Sequence, residues 1–208
     1  MNSKKPLWTC YVPEHLLENI SIVIPIAKDE TKHHDLLKTL EHTDAQVIIS
    51  SESSRAKSLN AGANKASKDY LWFLHADSDI DVHAIVTLSK AIKEKPHAIH
   101  YLNLAYDEGL AKLNAYGANM RSRLFGLPYG DQGYCMHLSV FEKIGGYPED
   151  TPYGEDLLFI RKAKTIGIAL NNIPATITTS ARQYKKIGWL KLTCYRQWQL
   201  FKLLTRKK

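Results

Sequence analysis

The sequence is poor in cysteine and in long apolar runs, and each shortage excludes a class of protein. Its three cysteines, Cys10, Cys135 and Cys194, are too widely spaced for a disulfide framework or a CxxC metal motif. No apolar run approaches the roughly 20 residues that a membrane-spanning helix needs. The polar segment Met1–Glu18 lacks the pattern of a secretory signal. Together these shortages predict a cytoplasmic protein in a reducing compartment.

Acidic residues are absent between Leu157 and Lys208, where 12 Lys and Arg residues occur. Residues 1–156 carry 16 basic and 21 acidic residues, so the net charge of +7 comes from the C-terminal quarter. A basic segment can meet nucleic acid, an anionic lipid surface or a phosphorylated ligand, or it can be a solvated helix. Since no recognised nucleic-acid-binding motif accompanies it, we expect no nucleic-acid partner.

Short apolar strands alternate with helical segments through the first half of the chain. Ser21–Ile26, Gln46–Ile49 and Tyr70–Leu74 have the composition of buried strands. This alternation favours an α/β domain in which helices flank both faces of a mostly parallel sheet. Because the chain has no internal repeat and no low-complexity linker, we predict one domain over residues 1–208. Its last part, 187–208, is predicted to be a basic amphipathic helix.

Apolar spacing predicts further elements. Helical spacing occurs at His34–His42, Ser54–Ser67, Asp81–Lys93, Leu110–Phe125, Leu157–Ile166 and Trp189–Leu204. Two separate strands are predicted at Ile168–Asn171 and Ala175–Thr179. The segment Gly126–Gly133 is predicted to be a loop, because breakers surround a polar centre.

The strand Tyr70–Leu74 ends in the acidic stretch that contains His75, Asp77 and Asp79. Ligands of open α/β sheets bind outside the carboxyl ends of the strands. Carboxylates at that edge can hold a divalent cation, and the cation can hold a phosphate. His75 and Asp77 are two residues apart, so an extended segment projects them to one side. Asp79 has a structural alternative, which is to cap the following helix. The stretch predicts a phosphorylated, nucleotide-linked substrate.

A second acidic pair, Glu155 and Asp156, follows Pro152–Gly154 and is predicted to begin a helix. Acids at this position are favoured by the helix dipole alone. A carboxylate there can also serve as a general base, which is typically worth about 10²–10⁴-fold in rate. Both interpretations stay open from the residues.

Five motifs in this chain resemble those of family 2 glycosyltransferases with the GT-A fold, and in particular a small bacterial glycosyltransferase-like subgroup. The motifs are Arg55–Ala63, Phe73–Asp77, Gly126–Gly133, Glu155-Asp156 and Thr178–Arg182. The resemblance covers roughly residues 20–204. It implies a Rossmann-like nucleotide-diphospho-sugar transferase domain.

The resemblance also implies an activity and a set of site residues. The activity is inverting, metal-dependent transfer of a hexosyl-type sugar from a nucleotide-sugar donor to an acceptor hydroxyl on a glycan, lipid or small molecule. Asp77, with Asp79, is expected to bind Mn²⁺ or Mg²⁺, and Asp156 to act as base beside Glu155. Contacts to the nucleotide sugar are expected from Pro25, Ile26, Ala27, Asp29, Arg55, Asn60, His75, Asp131, Gln132 and Arg182.

The chain departs from the family pattern at three places. Lys28-Asp29 replaces an Asn-Glu pair, and His75 replaces the first aspartate of Asp-x-Asp. Ser50–Ser54 leads directly into the arginine motif, so the nucleobase turn is missing and the sheet is expected to be one β–α unit short. A non-catalytic nucleotide-sugar-binding protein therefore stays an alternative. Nucleotidyl transfer is a further alternative, although nucleotidyltransferases usually have a Gly-rich basic loop after the first strand and Pro25–Lys28 is not such a loop.

The final predicted helix carries aromatic and basic residues at helical spacing. This pattern suits a membrane interface, and it equally suits packing on the sheet with snorkelling lysines. The first alternative adds peripheral contact with the inner face of the membrane to the predicted cytoplasmic location.

Overall fold

The computed structural model describes residues 17–27, 33–41 and 43–205. Within them, the strands are β1 (Ile20–Pro25), β2 (Gln46–Ser50), β3 (Tyr70–Phe73), β4 (Asp79–Ile80), β5 (Ile99–Tyr106), β6 (Cys135–His137) and β7 (Leu170–Thr179). The helices are α1 (His33–Leu40), α2 (Arg55–Asn64), α3 (Val82–Glu94), α4 (Ala111–Phe125), α5 (Leu138–Ile144), α6 (Glu155–Thr165), α7 (Arg182–Ile187) and α8 (Trp189–Thr205).

The strands form one mixed sheet in the order β2-β1-β3-β6-β5-β7-β4. The pairs β1–β2, β1–β3 and β5–β7 are parallel. Strand β6 is antiparallel to both of its neighbours, and β4 is antiparallel to β7. Five of these strands therefore point the same way, which confirms the predicted α/β fold with a mostly parallel sheet.

Both faces of the central strands are buried, as expected for strands with uninterrupted apolar runs. Ile22, Ile24 and Trp72 pack on one face against α3. Val23 and Phe73 belong to the opposite face, where α2, α5 and α6 cover the sheet. Successive side chains of a strand point to opposite faces, so β1 and β3 each contribute to two cores. Helices on both sides leave the strand ends as the place for a site.

Helix α2 lies unusually close to β1 because of Gly62. A Cβ atom at this position would overlap the Cγ1 atom of Val23. The glycine costs roughly 0.5–1 kcal/mol of helix stability relative to alanine, yet it allows the helix to pack directly on the strand. The close packing fixes Arg55, the first residue of α2, near the carboxyl end of β1.

One sequence prediction on the second half of the chain was wrong, and one helix was missed. The strands expected at Ile168–Asn171 and Ala175–Thr179 form one strand, β7, which runs through Pro174. The pairing of β7 with β5 shifts register at this point, between Tyr101 and Asn103. A proline lacks a backbone N–H, and a bulge is where a sheet tolerates it. The helix α7 was not predicted at all.

Strand β2 ends the sheet on one side, and no strand in the described part of the chain lies beyond it. The chain then passes through α2 directly to β3. This order agrees with a sheet that is one β–α unit short. None of the helices in the described ranges is long and apolar enough to cross a membrane.

Candidate functional site

A charged network connects three distant parts of the sequence at the carboxyl end of β3. Arg55 begins α2, Glu155 begins α6, and His75 follows β3 by two residues. The Arg55 Nη1 atom donates to Glu155 Oε1, and its Nη2 atom contacts His75 Nε2. The Glu155 side chain is 11% exposed and the Arg55 side chain 34%. The structure thus brings together three of the residues predicted for the site.

Burial and electrostatics set the charge states in this network. Burial, and then the nearby Arg55 guanidinium, lower the pKa of His75 well below its ordinary value. A neutral imidazole can accept a hydrogen bond at Nε2 when its proton is on Nδ1. Burial opposes the charge of Arg55, but Glu155 and Asp156 outweigh it and raise the arginine pKa. The arginine therefore keeps its charge and orients both partners.

Asp156 connects α6 to a 3-10 turn formed by Gly130–Gln132. Its Oδ2 atom accepts from the Gly130 N–H at 2.6 Å, and its Oδ1 atom accepts from the Leu157 N–H at 2.7 Å. The N-cap residue of α6 is Gly154, which has no side chain to bond the first turn of the helix. A Cβ atom at position 130 would lie 2.9 Å from Arg55 Nη2 and 3.1 Å from Asp156 Oδ2. The glycine therefore allows the turn to approach both charged groups.

Asp131 stands out among the carboxylates of the site. Its Oδ1 atom is buried and has no hydrogen-bond partner in the described part of the structure. Burial, and then the negative charge of Asp156, raise the pKa of Asp131 to about 6, although nearby arginines act in the opposite direction. A perturbed carboxylate in a cleft is a mark of functional sites. Asp131 therefore lies close enough to Asp156 for the two carboxylates to interact electrostatically.

These side chains open into a cavity of about 200 Å³ that the C-terminal helix closes. His75, Asp131 and Asp156 line it from the sheet side, and Arg196 and Leu203 line it from α8. The helix is held in place because Arg161 Nη1 donates to the Leu203 carbonyl at 2.7 Å. A larger cavity of about 570 Å³ adjoins the first and shares Asp131 and Arg196 with it.

The two predicted metal residues, Asp77 and Asp79, both lie near the end of β7. Asp77 Oδ1 accepts from Thr179 Oγ1 at 3.3 Å, which ties the turn after β3 to the end of β7. Asp79 lies in β4 and is exposed. The structural alternative for Asp79 was wrong, because Asp81 caps α3 through a 2.7 Å bond from the Ala84 N–H.

Among the described residues, no three His, Cys, Asp or Glu side chains are grouped so that they could hold a metal ion. Magnesium in phosphate-handling sites is often bound by one or two carboxylates, with substrate phosphates and water as the other ligands. The half-buried carboxylate of Asp77 could serve as one such ligand.

Two of the predicted nucleotide-sugar contacts hold the protein's own loops. Asn60 Nδ2 donates to the Tyr147 carbonyl at 2.9 Å, and its Oδ1 atom accepts from the Tyr147 N–H at 2.9 Å. The fully buried Gln132 donates to the Leu102 carbonyl at 2.9 Å and accepts from the Tyr129 N–H at 2.9 Å. Both amides position the backbone around the site.

The other predicted contacts lie at the edges of the site. Pro25 ends β1, Ile26 is half-buried beyond it, and Ala27 is exposed. Asp29 lies outside the described residues. Arg182 begins α7 with an exposed side chain and does not line either of the two cavities.

Arg196 was not predicted as a site residue, although it lines both cavities. Its Nη1 atom donates to the Tyr184 hydroxyl at 2.9 Å, and its Nη2 atom donates to Gln183 Oε1 at 2.9 Å. The sequence did contain a sign of this role. Arg196 interrupts a helical stripe of leucines, Leu192, Leu200 and Leu203, on the face of α8 that turns toward the protein.

Comparisons with known proteins support the fold. No protein-family model matches the chain, and no curated protein matches it. Solved structures do match, among them S. aureus TarS, a glycosyltransferase, with a TM-score of 0.58 at 12% identity over 78% of this chain and 36% of that chain.

Two further structures of the same protein match over 78% of this chain. S. aureus TarS 1–349 has a TM-score of 0.56 at 12% identity, and 60% of that chain is covered. Its complex with UDP-GlcNAc has a TM-score of 0.55 at 13% identity, with 58% covered. The chain therefore spans less than two thirds of the length of these neighbours, and it has their GT-A-like glycosyltransferase fold.

Proposed function

We propose that this protein transfers a sugar from a nucleotide-diphosphate sugar to an acceptor hydroxyl, with inversion at the anomeric carbon. The observation that carries the proposal is the convergence of Asp131, Asp156 and His75 on one cavity, with Arg55 behind it in contact with His75 and Glu155. The fold likeness to a glycosyltransferase, including a complex with UDP-GlcNAc, supports a nucleotide-sugar donor.

The donor diphosphate would bind near the N-terminus of α2 and the end of β1. Backbone N–H groups at a helix N-terminus favour an anion, and Arg55 adds a full positive charge at the first position of this helix. Pro25, Ile26, Ala27, Asp29 and Arg182, which the resemblance names as nucleotide-sugar contacts, would complete the donor site.

The carboxylates of Asp131 and Asp156 would perform the proton transfer. As the acceptor oxygen bonds to the anomeric carbon, its proton passes to an Asp156 oxygen, and the bond to the diphosphate breaks on the opposite face of the sugar. Two backbone N–H groups fix the orientation of Asp156, and a carboxylate retains further lone pairs for the acceptor hydroxyl. Asp131 keeps a second carboxylate beside it. Glu155 orients the network through Arg55.

Asp77 would hold Mn²⁺ or Mg²⁺ together with the donor phosphates, with Asp79 as a further contact as the sequence predicts. A bound cation supplies charge neutralisation for the departing diphosphate. Oxygen ligands are those that these cations prefer.

Incubation with a panel of nucleotide sugars, with and without Mn²⁺, tests the proposal. We expect metal-dependent release of nucleoside diphosphate, and loss of this release in Asp156→Asn. Release of pyrophosphate would instead establish nucleotidyl transfer. Tight donor binding without turnover, measured by thermal shift, would establish the non-catalytic alternative.

A further inference from the structure

The larger cavity has apolar walls along most of its length. It lies between α4 and α8 and measures about 570 Å³, which is within the range of about 300–1,000 Å³ for small-molecule sites. Leu113 and Phe125 line it from α4, Leu200 lines it from α8, and Leu104 and Leu127 complete the lining. A polar sugar gains little from such a surface, whereas a hydrocarbon chain gains about 0.8 kcal/mol for each buried CH₂ group.

The inner end of this cavity is polar and meets the candidate site. Asp131, Tyr129 and Arg196 line both cavities. Arg121 lies over the Tyr129 ring at 3.2 Å and donates through Nε to the Leu127 carbonyl at 2.8 Å. Its Nη2 atom is buried and has no hydrogen-bond partner among residues 17–27, 33–41 and 43–205. A buried donor without a partner is costly, so a polar ligand group would satisfy it.

The outer surfaces of the same two helices are apolar and basic. Helix α4 exposes Leu113, Tyr116, Met120, Leu124 and Phe125, and α8 exposes Leu190, Tyr195, Trp198 and Phe201. The charged residues of both helices are all basic: Lys112, Arg121, Arg123, Lys191, Arg196 and Lys202. Large apolar patches are uncommon on soluble monomers. Aromatic residues among lysines and arginines suit an anionic lipid surface.

We propose that the acceptor is a membrane lipid whose apolar chain occupies the cavity between α4 and α8. The chain would lie along Leu113, Phe125 and Leu200, and the polar head with its hydroxyl would reach Asp131 and Asp156. The shared lining at Asp131 and Arg196 joins the chain site to the transfer site. The role of the lipid as acceptor rests on the proposed function, whereas chain binding in the cavity does not.

Gly117 offers a way to block the cavity without disturbing the fold. It lies in α4 and lines the cavity, and a Cβ atom added to it would meet no atom within 4 Å. Gly117→Trp places a large side chain in the cavity. Gly117→Ala is the matched control, because it also removes the helix penalty of glycine, by at least as much as tryptophan does, without filling the space.

The probes are octyl β-glucoside, below its micelle concentration, and methyl β-glucoside, which has the same head without the chain. Titrations of the full chain followed by amide NMR shifts give affinity and location. We expect octyl β-glucoside to bind at least about ten-fold more tightly than methyl β-glucoside, with shifts in α4 and α8. Gly117→Trp should weaken octyl binding by about ten-fold or more, and Gly117→Ala by less than about two-fold.

Equal binding of the two glucosides, or unchanged octyl binding in Gly117→Trp, would overturn the proposal. Donor cleavage measured on the same samples separates the two ideas. Chain binding that Gly117→Trp blocks, in a protein that cleaves no nucleotide sugar, would uphold the lipid cavity and overturn the proposed transfer. Donor cleavage without chain-length preference would uphold the transfer and overturn the lipid acceptor.

Discussion

The two walls of the cleft are built in opposite ways. On the sheet side, charged groups bond to each other, as Arg55 does to Glu155 and His75 and as Asp156 does to the backbone of Gly130. On the helical side, formed by α4 and α8, apolar side chains face the cavity and the solvent, and the basic groups have no acidic neighbours on their own helices.

This difference suggests a division of labour between the walls. The sheet wall depends on residues far apart in sequence, 100 positions in the case of Arg55 and Glu155, so its geometry exists only in the folded protein. Such preorganised charge suits the reacting groups of donor and acceptor. The helical wall depends on the outward faces of two helices, where a change costs the fold little, and it suits recognition of the acceptor.

The largest effect is expected from Asp156, the proposed base on the sheet wall. Asp156→Asn keeps the shape of the side chain but removes its ability to accept a proton, so we expect kcat to fall by about 10²–10⁴-fold. The unfolding free energy should fall by about 1–3 kcal/mol, because the single amide oxygen can accept from only one of the two N–H groups, of Gly130 and Leu157, that Asp156 binds. Asp150→Asn, at an exposed position nearby, is the control and should leave kcat unchanged. Retained activity together with lost stability would give Asp156 a purely structural role.

The largely buried ion pair of the sheet wall should contribute more to the stability of the fold than an exposed ion pair outside the cleft. Arg55→Ala leaves Glu155 buried without a partner, and breaking a buried pair costs about 3–5 kcal/mol; because the Arg55 side chain is 34% exposed, we expect about 2–3 kcal/mol. Lys185→Ala breaks the pair with Glu108, whose side chains are 65% and 47% exposed, and should cost about 0–1 kcal/mol. Urea unfolding of both variants measures the difference. Equal losses would contradict the structural importance of the Arg55–Glu155 pair.

Replacing Asp131 with a neutral residue should stabilise the fold in a pH-dependent way. Its pKa is raised from an ordinary 3.8 to about 6, so the folded state binds more protons than the unfolded state between these values. Stability should therefore fall as the pH rises through this window. Asp131→Asn cannot ionise, and we expect it to be about 1–3 kcal/mol more stable than the wild type at pH 8. Thermal unfolding below about pH 4 should show no such gain. An equal gain at both pH values would indicate another cause.

Much of the fold could be predicted because its causes are local. The apolar runs of β1 and β3 and the helical spacing in α3 and α4 each depend on neighbouring residues, and the observed bounds agree within a few positions. The prediction of two strands in place of β7 was wrong because local rules treat Pro174 as a strand breaker. Its tolerance depends on the register shift against β5, a strand some 70 residues earlier.

The site was less predictable because residue type does not specify a partner. Arg55, His75 and Glu155 were expected at the site and do meet there. The neighbouring sequence does not show that Asn60 holds the backbone of Tyr147. It also does not show that Arg196, rather than Arg182, lines the cavities. The first result depends on how the loop after α5 packs on α2, and the second on how α8 packs over the cavities; both follow from the whole tertiary structure.

The smallest effect on stability is expected on the outer face of α8, where function and fold should separate. Phe201 is 65% exposed, so Phe201→Ser should change the unfolding free energy by less than about 0.5 kcal/mol. If this face meets anionic lipid, the same change should weaken binding to vesicles that contain about 30% phosphatidylglycerol, because an interfacial aromatic is lost. Leu192, on the same helix and only 5% exposed, gives the contrast. Leu192→Ser should destabilise the fold by about 2–4 kcal/mol, through a cavity and a buried hydroxyl.

Sedimentation with vesicles at low and high salt measures this separation. Binding should weaken at high salt, because salt screens the attraction between the basic residues of α4 and α8 and the anionic vesicles. The apolar contribution of Phe201 should persist at both salt concentrations. If the wild-type protein fails to sediment with anionic vesicles at low salt, the helical wall does not bind a membrane surface. The exposed apolar face would then need another explanation, and the chain-length test on the cavity would decide alone whether the acceptor carries a hydrocarbon chain.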